Sequence, residues 1–209
     1  MSDIEIEGLN TLEYDVLREI GNIGAGNATT ALSQLINSKI NMNDLRVKLY
    51  EFKELAEIVG GAETQVVGIL IALEGDIQGD MMFMLECECA HSLVRILLGG
   101  NIEDRIEDSN KFDDMEMSAL GEIGNIITGA YLSSLSTLTH LCINTSVPNI
   151  AIDMAGAILS VPAIEFGKMG DKALLIQSQF IDGMIDISGY FILIPTLESY
   201  SVIMKSLGL

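Results

Sequence analysis

Apolar positions follow two rhythms along this chain. Between Leu12 and Leu35 they return every three or four residues, so that Val16, Leu17, Ile20, Ile23, Ala28, Ala31, Leu32 and Leu35 share one side of a helical wheel. Asp15, Arg18, Glu19, Asn22, Gly26 and Thr29 take the polar sector. The same rhythm returns from Met115 to Leu138. After each helix the pattern shortens to runs rich in Val, Ile, Phe and Met that adjoin Gly-Asp or Asp-Gly turn signals, which predicts strands and hairpins. In the first half the predicted strands are "RVKLYEF", "TQVVGILIALEG" and "DIQGDMMFMLE"; in the second they are "LCINTSVPNI", "KALLIQSQFID" and "MIDISGYFILIP". Helical patterns close each half, "CECAHSLVRILLGG" and "TLESYSVIMKSLGL", with the Gly pair after Leu98 and Gly208 as C-terminal stops.

The two halves are copies. At an offset of 103, Leu12–Leu35 and Met115–Leu138 are identical at 11 of 24 positions: Glu13/Glu116, Leu17/Leu120, the five of "EIGNI", Gly26/Gly129, Leu32/Leu135, Ser33/Ser136 and Leu35/Leu138. The expected fold is α+β: one domain over 1–209, built of pseudo-twofold halves at about 10–100 and 113–209. Two hairpins build a shared antiparallel sheet with the long helices packed on its outside. "GGNIEDRIEDSNKFDD" is the expected joining loop. Two pieces read as breaks in the symmetry, "FKELAEIVGG" as a short helix and "AIDMAGAILSVPAIEF" as a longer one.

Composition narrows the function. The formal net charge is −19, which repels phosphate backbones and anionic lipid, so neither nucleic acid nor a membrane surface is an expected partner. No apolar run approaches the roughly 18 residues that span a bilayer. The acidic start "MSDIEIEGLN" has no signal-peptide pattern, and the chain reads as cytoplasmic. Cys87, Cys89 and Cys142 read as buried reduced thiols, and His91 and His140 as core or surface residues without a metal cluster.

At ~100° per residue, Glu19 falls ~40° to one side of Asp15 and Asn22 ~20° to the other, so the three form one exposed row. Ser118, Glu122 and Asn125 form its copy. A solvated helix face explains one such row. It does not explain why Asn, a weak helix former, returns at the same exposed position. Gly21 and Gly124 each cost about 1 kcal/mol against Ala in a helix interior, and they are read as leaving room for an approach to the backbone. "GNIGAGN" has glycines spaced like a phosphate loop, but it lacks the preceding strand, and "GNIITGA" loses the glycines. The rows hold no His or Cys for zinc, and Ser118 has no identifiable base. A carboxamide that both donates and accepts suits the aiming of a water, and a carboxylate beside it suits a cation on a partner surface. Phosphoryl hydrolysis uses such a water-orienting amide.

The pattern [D/S]-x-x-x-E-x-x-N, with a Pro 23 positions after the Asn, resembles the signature of the CheC/CheX/FliY phosphatases of bacterial chemotaxis, and most closely its CheC type. "LREIGNIGAGNATTALSQLIN" and "LGEIGNIITGAYLSSL" carry the resemblance, which covers essentially the whole chain. It implies hydrolysis of the aspartyl phosphate on the response regulator CheY. The implied catalytic residues are Glu19 and Asn22, then Glu122 and Asn125; Asp15 and Ser118 fill the first motif position. Pro148 completes the second motif, whereas Leu45 stands at that place in the first half, a departure that implies a less active first site. The resemblance implies no cofactor in this chain itself; the divalent metal, Mg2+ by expectation, comes with the regulator. It also implies binding to the receptor deamidase CheD through "NIAIDMAGAIL", with Asp153 as the contact. A non-catalytic adaptor for the regulator, like a flagellar-switch component, is the alternative.

Overall fold

The computed structural model describes residues 11–37, 41–99, 111–166, 172–182 and 185–209. The acidic N-terminal stretch and most of the expected joining loop lie outside these residues. The first half runs α1 (Thr11–Leu35), β1 (Asn41–Glu51), α2 (Phe52–Ile58), β2 (Gln65–Gly75), β3 (Gly79–Glu86) and α3 (Cys87–Leu98). The second runs α4 (Asp114–Thr139), β4 (Ile143–Thr145), β5 (Asn149–Met154), α5 (Ala155–Phe166), β6 (Lys172–Asp182), β7 (Ile185–Pro195) and α6 (Leu197–Ser206).

The two pieces read as breaks in the symmetry are in fact its copies. α2 follows the first strand of one half, and α5 follows the first strands of the other. The segment "NIAIDM" is strand β5, not the start of a helix. Ile150 and Ile152 are half-buried while Ala151 and Asp153 are exposed, which is the period-two alternation of a strand with one covered face. The helix begins only at Ala155.

All strand pairs are antiparallel, in one seven-stranded sheet of order β1-β6-β7-β3-β2-β4, with β5 also on β2. The order reads alike from both edges, and each half places its first strand on the other half's hairpin. β1 pairs with β6, and β4 and β5 pair with β2. The hairpins meet at β3 and β7, where Phe83 and Phe191 are register partners with stacked rings, centroids 4.7 Å apart.

Both faces of the sheet are covered, so its central strands read as near-continuous apolar runs. Met81, Phe83 and Leu85 of β3 join Phe191 and Leu193 of β7 under α1, α3, α4 and α6. Met82 and Met84 join Tyr190, Ile192 and Ile194 on the opposite face, under α2 and α5. The long helices therefore lie together on one face. They touch through Asn27, whose Nδ2 donates to Ser134 Oγ at 2.7 Å, and through Gly24, where any Cβ would overlap the Tyr131 ring. Burial pushes the Tyr131 hydroxyl well above the ordinary tyrosine range, so it stays neutral between the helices.

Candidate active site

Helix α4 starts with a complete capping box. The Glu116 N–H donates to Asp113 Oδ1 at 2.8 Å, and the Asp113 N–H donates to Glu116 Oε2 at 2.9 Å. From that start the helix turns Leu120, Ile123, Gly124 and Ile127 inward. Ser118, Glu122 and Asn125 are exposed. On α1, Leu17 and Ile20 are buried, Asp15 and Glu19 are exposed, and Asn22 is half-buried. Asp15 meets Arg18 at 3.4 Å, an exposed pair of little energetic weight. Among the described residues no hydrogen bond or ion pair holds Glu19, Asn22, Glu122 or Asn125. The second row presents an unengaged acid and amide to solvent, as the wheel predicts; the first presents its acid fully and its amide in part.

Two residues of the wheel are corrected. Thr29 is buried, and its hydroxyl bonds back to the Ala25 carbonyl at 2.8 Å. Gly124 faces the sheet rather than a visitor. A Cβ there would stand 2.6 Å from Ile69 Cγ2, so the missing side chain is what lets α4 sit down on β2. Gly21 is likewise buried. Gly124 thus serves the seating of α4, and Asn125 beside it takes the exposed side.

Pro148 lies between β4 and β5, both paired with β2. Thr145 faces Leu73 and Asn149 faces Leu70, so this edge carries one residue more than its partner strand. Ser146 pins the bulge: its N–H donates to the Ala72 carbonyl and its Oγ accepts from the Ala72 N–H, both at 3.0 Å. β1 shifts register between Asn43 and Arg46, again by one extra residue, and Leu45 sits there. The first half keeps the bulge without the proline. Beyond Pro148, Ile150 approaches α4 at Gly121, where its Cδ1 is 3.7 Å from a Cβ position. The bulged strand therefore flanks the turn that carries Ser118 and Glu122. Sequence reasoning passed over Ser146, since a lone serine in an extended segment carries no spacing signal.

Asp153 lies on the exposed edge strand β5 opposite Val66 of β2, and its Oδ1 accepts from the Met154 N–H at 2.7 Å. It is on neither Glu/Asn row. None of the three cysteines forms a disulfide; Cys87 is buried and Cys89 half-buried, but Cys142 is exposed, which corrects the reading of three buried thiols. Burial, then the neighbouring Glu86 charge, raises the Cys87 thiol, so it stays protonated. His91 is buried, and His140 caps α4 in the left-handed region at φ 58°. Among the described residues no group of three or more His, Cys, Asp or Glu gathers as a cation site. Among the same residues no helix is long and apolar enough to cross a membrane.

This architecture, two long helices laid on one face of a pseudo-symmetric antiparallel sheet, is shared with solved structures of flagellar and chemotaxis proteins. FliY of Thermotoga maritima superimposes with a TM-score of 0.75 at 21% identity, covering 96% of this chain and 98% of that one. The CheX–CheY–BeF3–Mg2+ complex from Borrelia burgdorferi superimposes with a TM-score of 0.53 at 18% identity, covering 85% and 97%. Sequence then specifies the family. The model of the CheC-like family matches residues 12–43 and 115–152, which contain both rows and Pro148. The CheY-P phosphatase CheC of Bacillus subtilis (strain 168) is 36% identical over 203 residues, 96% of each chain. This chain belongs to the CheC-like family.

Proposed function

We propose that this protein is a response-regulator phosphatase that hydrolyses the aspartyl phosphate of CheY. The near full-length match to a CheY-P phosphatase carries the reading. The two exposed acid and amide rows supply its chemistry. An attacking water forms a bond to phosphorus as the bond to the aspartyl oxygen breaks, releasing inorganic phosphate and a free carboxylate on the regulator. The carboxamide of Asn22 or Asn125 accepts from and donates to that water and holds it in line, which is catalysis by positioning. Glu19 or Glu122, one helical turn earlier on the same row, pairs with a cationic side chain of the regulator and sets the depth of the helix. Asp15 and Ser118 extend the contact. A divalent metal carried by the regulator would supply charge neutralisation at the phosphoryl group; the roles of this chain are to hold the water and the partner.

The test is Asn22→Ala together with Asn125→Ala. Neither amide has a hydrogen bond among the described residues, so the fold should keep its stability within about 0.5 kcal/mol. Decay of phosphorylated regulator should fall to its spontaneous rate. Full activity with normal binding rejects the water-positioning role. A wild-type protein that binds without accelerating decay leaves the adaptor instead.

The same proposal includes binding of the receptor deamidase CheD on the other face. α5 exposes Ala157, Val161 and Ile164 at helical spacing, with Val161 54% and Ile164 72% exposed, and Met154 extends the patch at 43%. Such a patch fits a protein contact. Asp153 adds a charge at its margin. Because α5 covers the face opposite α1 and α4, this contact leaves both rows open.

A further inference from the structure

Glu116 is one of the residues kept in both copies, yet it lies outside the Glu/Asn row. Its two oxygens have different tasks. Oε2 closes the capping box with Asp113, and Oε1 stands 3.3 Å from Nδ1 of His91 on α3. His91 is 3% exposed, and its ring lies flat on Phe112, centroids 3.8 Å apart and planes 4° apart. Its Nε2 is buried without a partner. A leucine or phenylalanine would fill this place without stranding a nitrogen, so packing alone does not account for a histidine. With a proton on Nδ1 the ring donates to the Glu116 carboxylate, and this ties α3 to the first turn of α4.

Glu13 is the copy of Glu116, and its nearby charge, after burial, helps push the hydroxyl of Tyr200 on α6 up to about 12. That hydroxyl nevertheless has no hydrogen-bond partner. Tyr200 of α6 therefore does not repeat the carboxylate–imidazole contact through which α3 meets the start of α4.

We propose that His91 and Glu116 are positioning residues for the second Glu/Asn row alone, anchoring the first turn of α4 so that Ser118 and Glu122 meet the regulator in register. The inference rests on the assignment of that row above. Asn125 lies farther along the helix, beside Gly124 where α4 is seated on Ile69. Loosening the first turn therefore weakens capture of the regulator more than it slows the chemistry, and the signature is in KM rather than kcat.

The experiment places His91→Leu in two backgrounds, Asn22→Ala, which leaves the second row, and Asn125→Ala, which leaves the first. In the Asn22→Ala protein KM for the phosphorylated regulator should rise about fivefold with kcat within about twofold; in the Asn125→Ala protein neither should move by more than about twofold. His91→Asn retains a donor close to Nδ1 and should restore most of the loss. Amide exchange in the otherwise unaltered protein should quicken at Glu116 and Met117 with His91→Leu while α1 stays protected. Equal effects in both backgrounds, a loss confined to kcat, or no rescue by Asn would overturn the proposal. Should the Asn22→Ala, Asn125→Ala double variant keep full activity, the row assignment falls instead. The exchange measurement still decides whether His91 holds α4: unchanged protection at Glu116 and Met117 overturns that role.

Discussion

Alanine at Gly124 isolates what the repeated glycine does. Two effects oppose each other. Replacing an interior helical glycine with alanine favours the helix by about 1 kcal/mol. The new methyl, however, meets Ile69 Cγ2 at 2.6 Å and Cδ1 at 3.3 Å. Ile69 is 1% exposed and held between Phe83 of β3 and Ile150 of β5. Its Cγ2 branches at Cβ and moves only with a change of rotamer, so either the strand yields or α4 lifts. Overpacking of this kind costs about 1–3 kcal/mol. Gly129 on the same helix provides the control, because a Cβ there meets nothing within 4 Å. Gly129→Ala should raise stability by about 1 kcal/mol. The difference between the two variants cancels the helix preference and leaves the steric cost, about 1–3 kcal/mol. Urea unfolding of both, read as midpoint at constant slope, measures it. If Gly124→Ala stabilises the protein as much as Gly129→Ala does, the helix is not seated through that glycine and the packing argument fails.

The two rows should differ in activity. Asn125 is exposed where Asn22 is half-buried, and Pro148 stiffens the bulge that Leu45 leaves unlocked, so Asn125→Ala should reduce regulator dephosphorylation more than Asn22→Ala. A larger loss at Asn22 would count against both features. Asp153→Lys should weaken deamidase binding at least about tenfold in a titration and leave dephosphorylation without the deamidase unchanged, since the residue lies on neither row. Unchanged affinity would remove Asp153 from that contact.

Much of the site was legible in the chain because it is local and written twice. A helix of period 3.6 places residues on a face without reference to anything distant, so the rows of Glu19 with Asn22 and Glu122 with Asn125 follow from spacing. The duplication separated them from an ordinary solvated surface. The hairpins were legible for the same reason: their turns and their alternation lie within a short stretch. Even β5 left a signal, for Ile150 and Ile152 alternate with Ala151 and Asp153, but the small residues that follow mimic a helix and hid it. Tertiary structure alone decided the rest. Nothing near Asn41 or Asn149 says that each half's first strand pairs with the other half's hairpin, because that pairing joins residues far apart in the chain, as Asn41 with Ile181 and Asn149 with Leu70. Nor does Gly124 announce that it faces Ile69: a missing side chain means room, and only the sheet beneath shows what occupies it. The bond between His91 and Glu116 belongs to the same class, formed where two helices meet and invisible in either one.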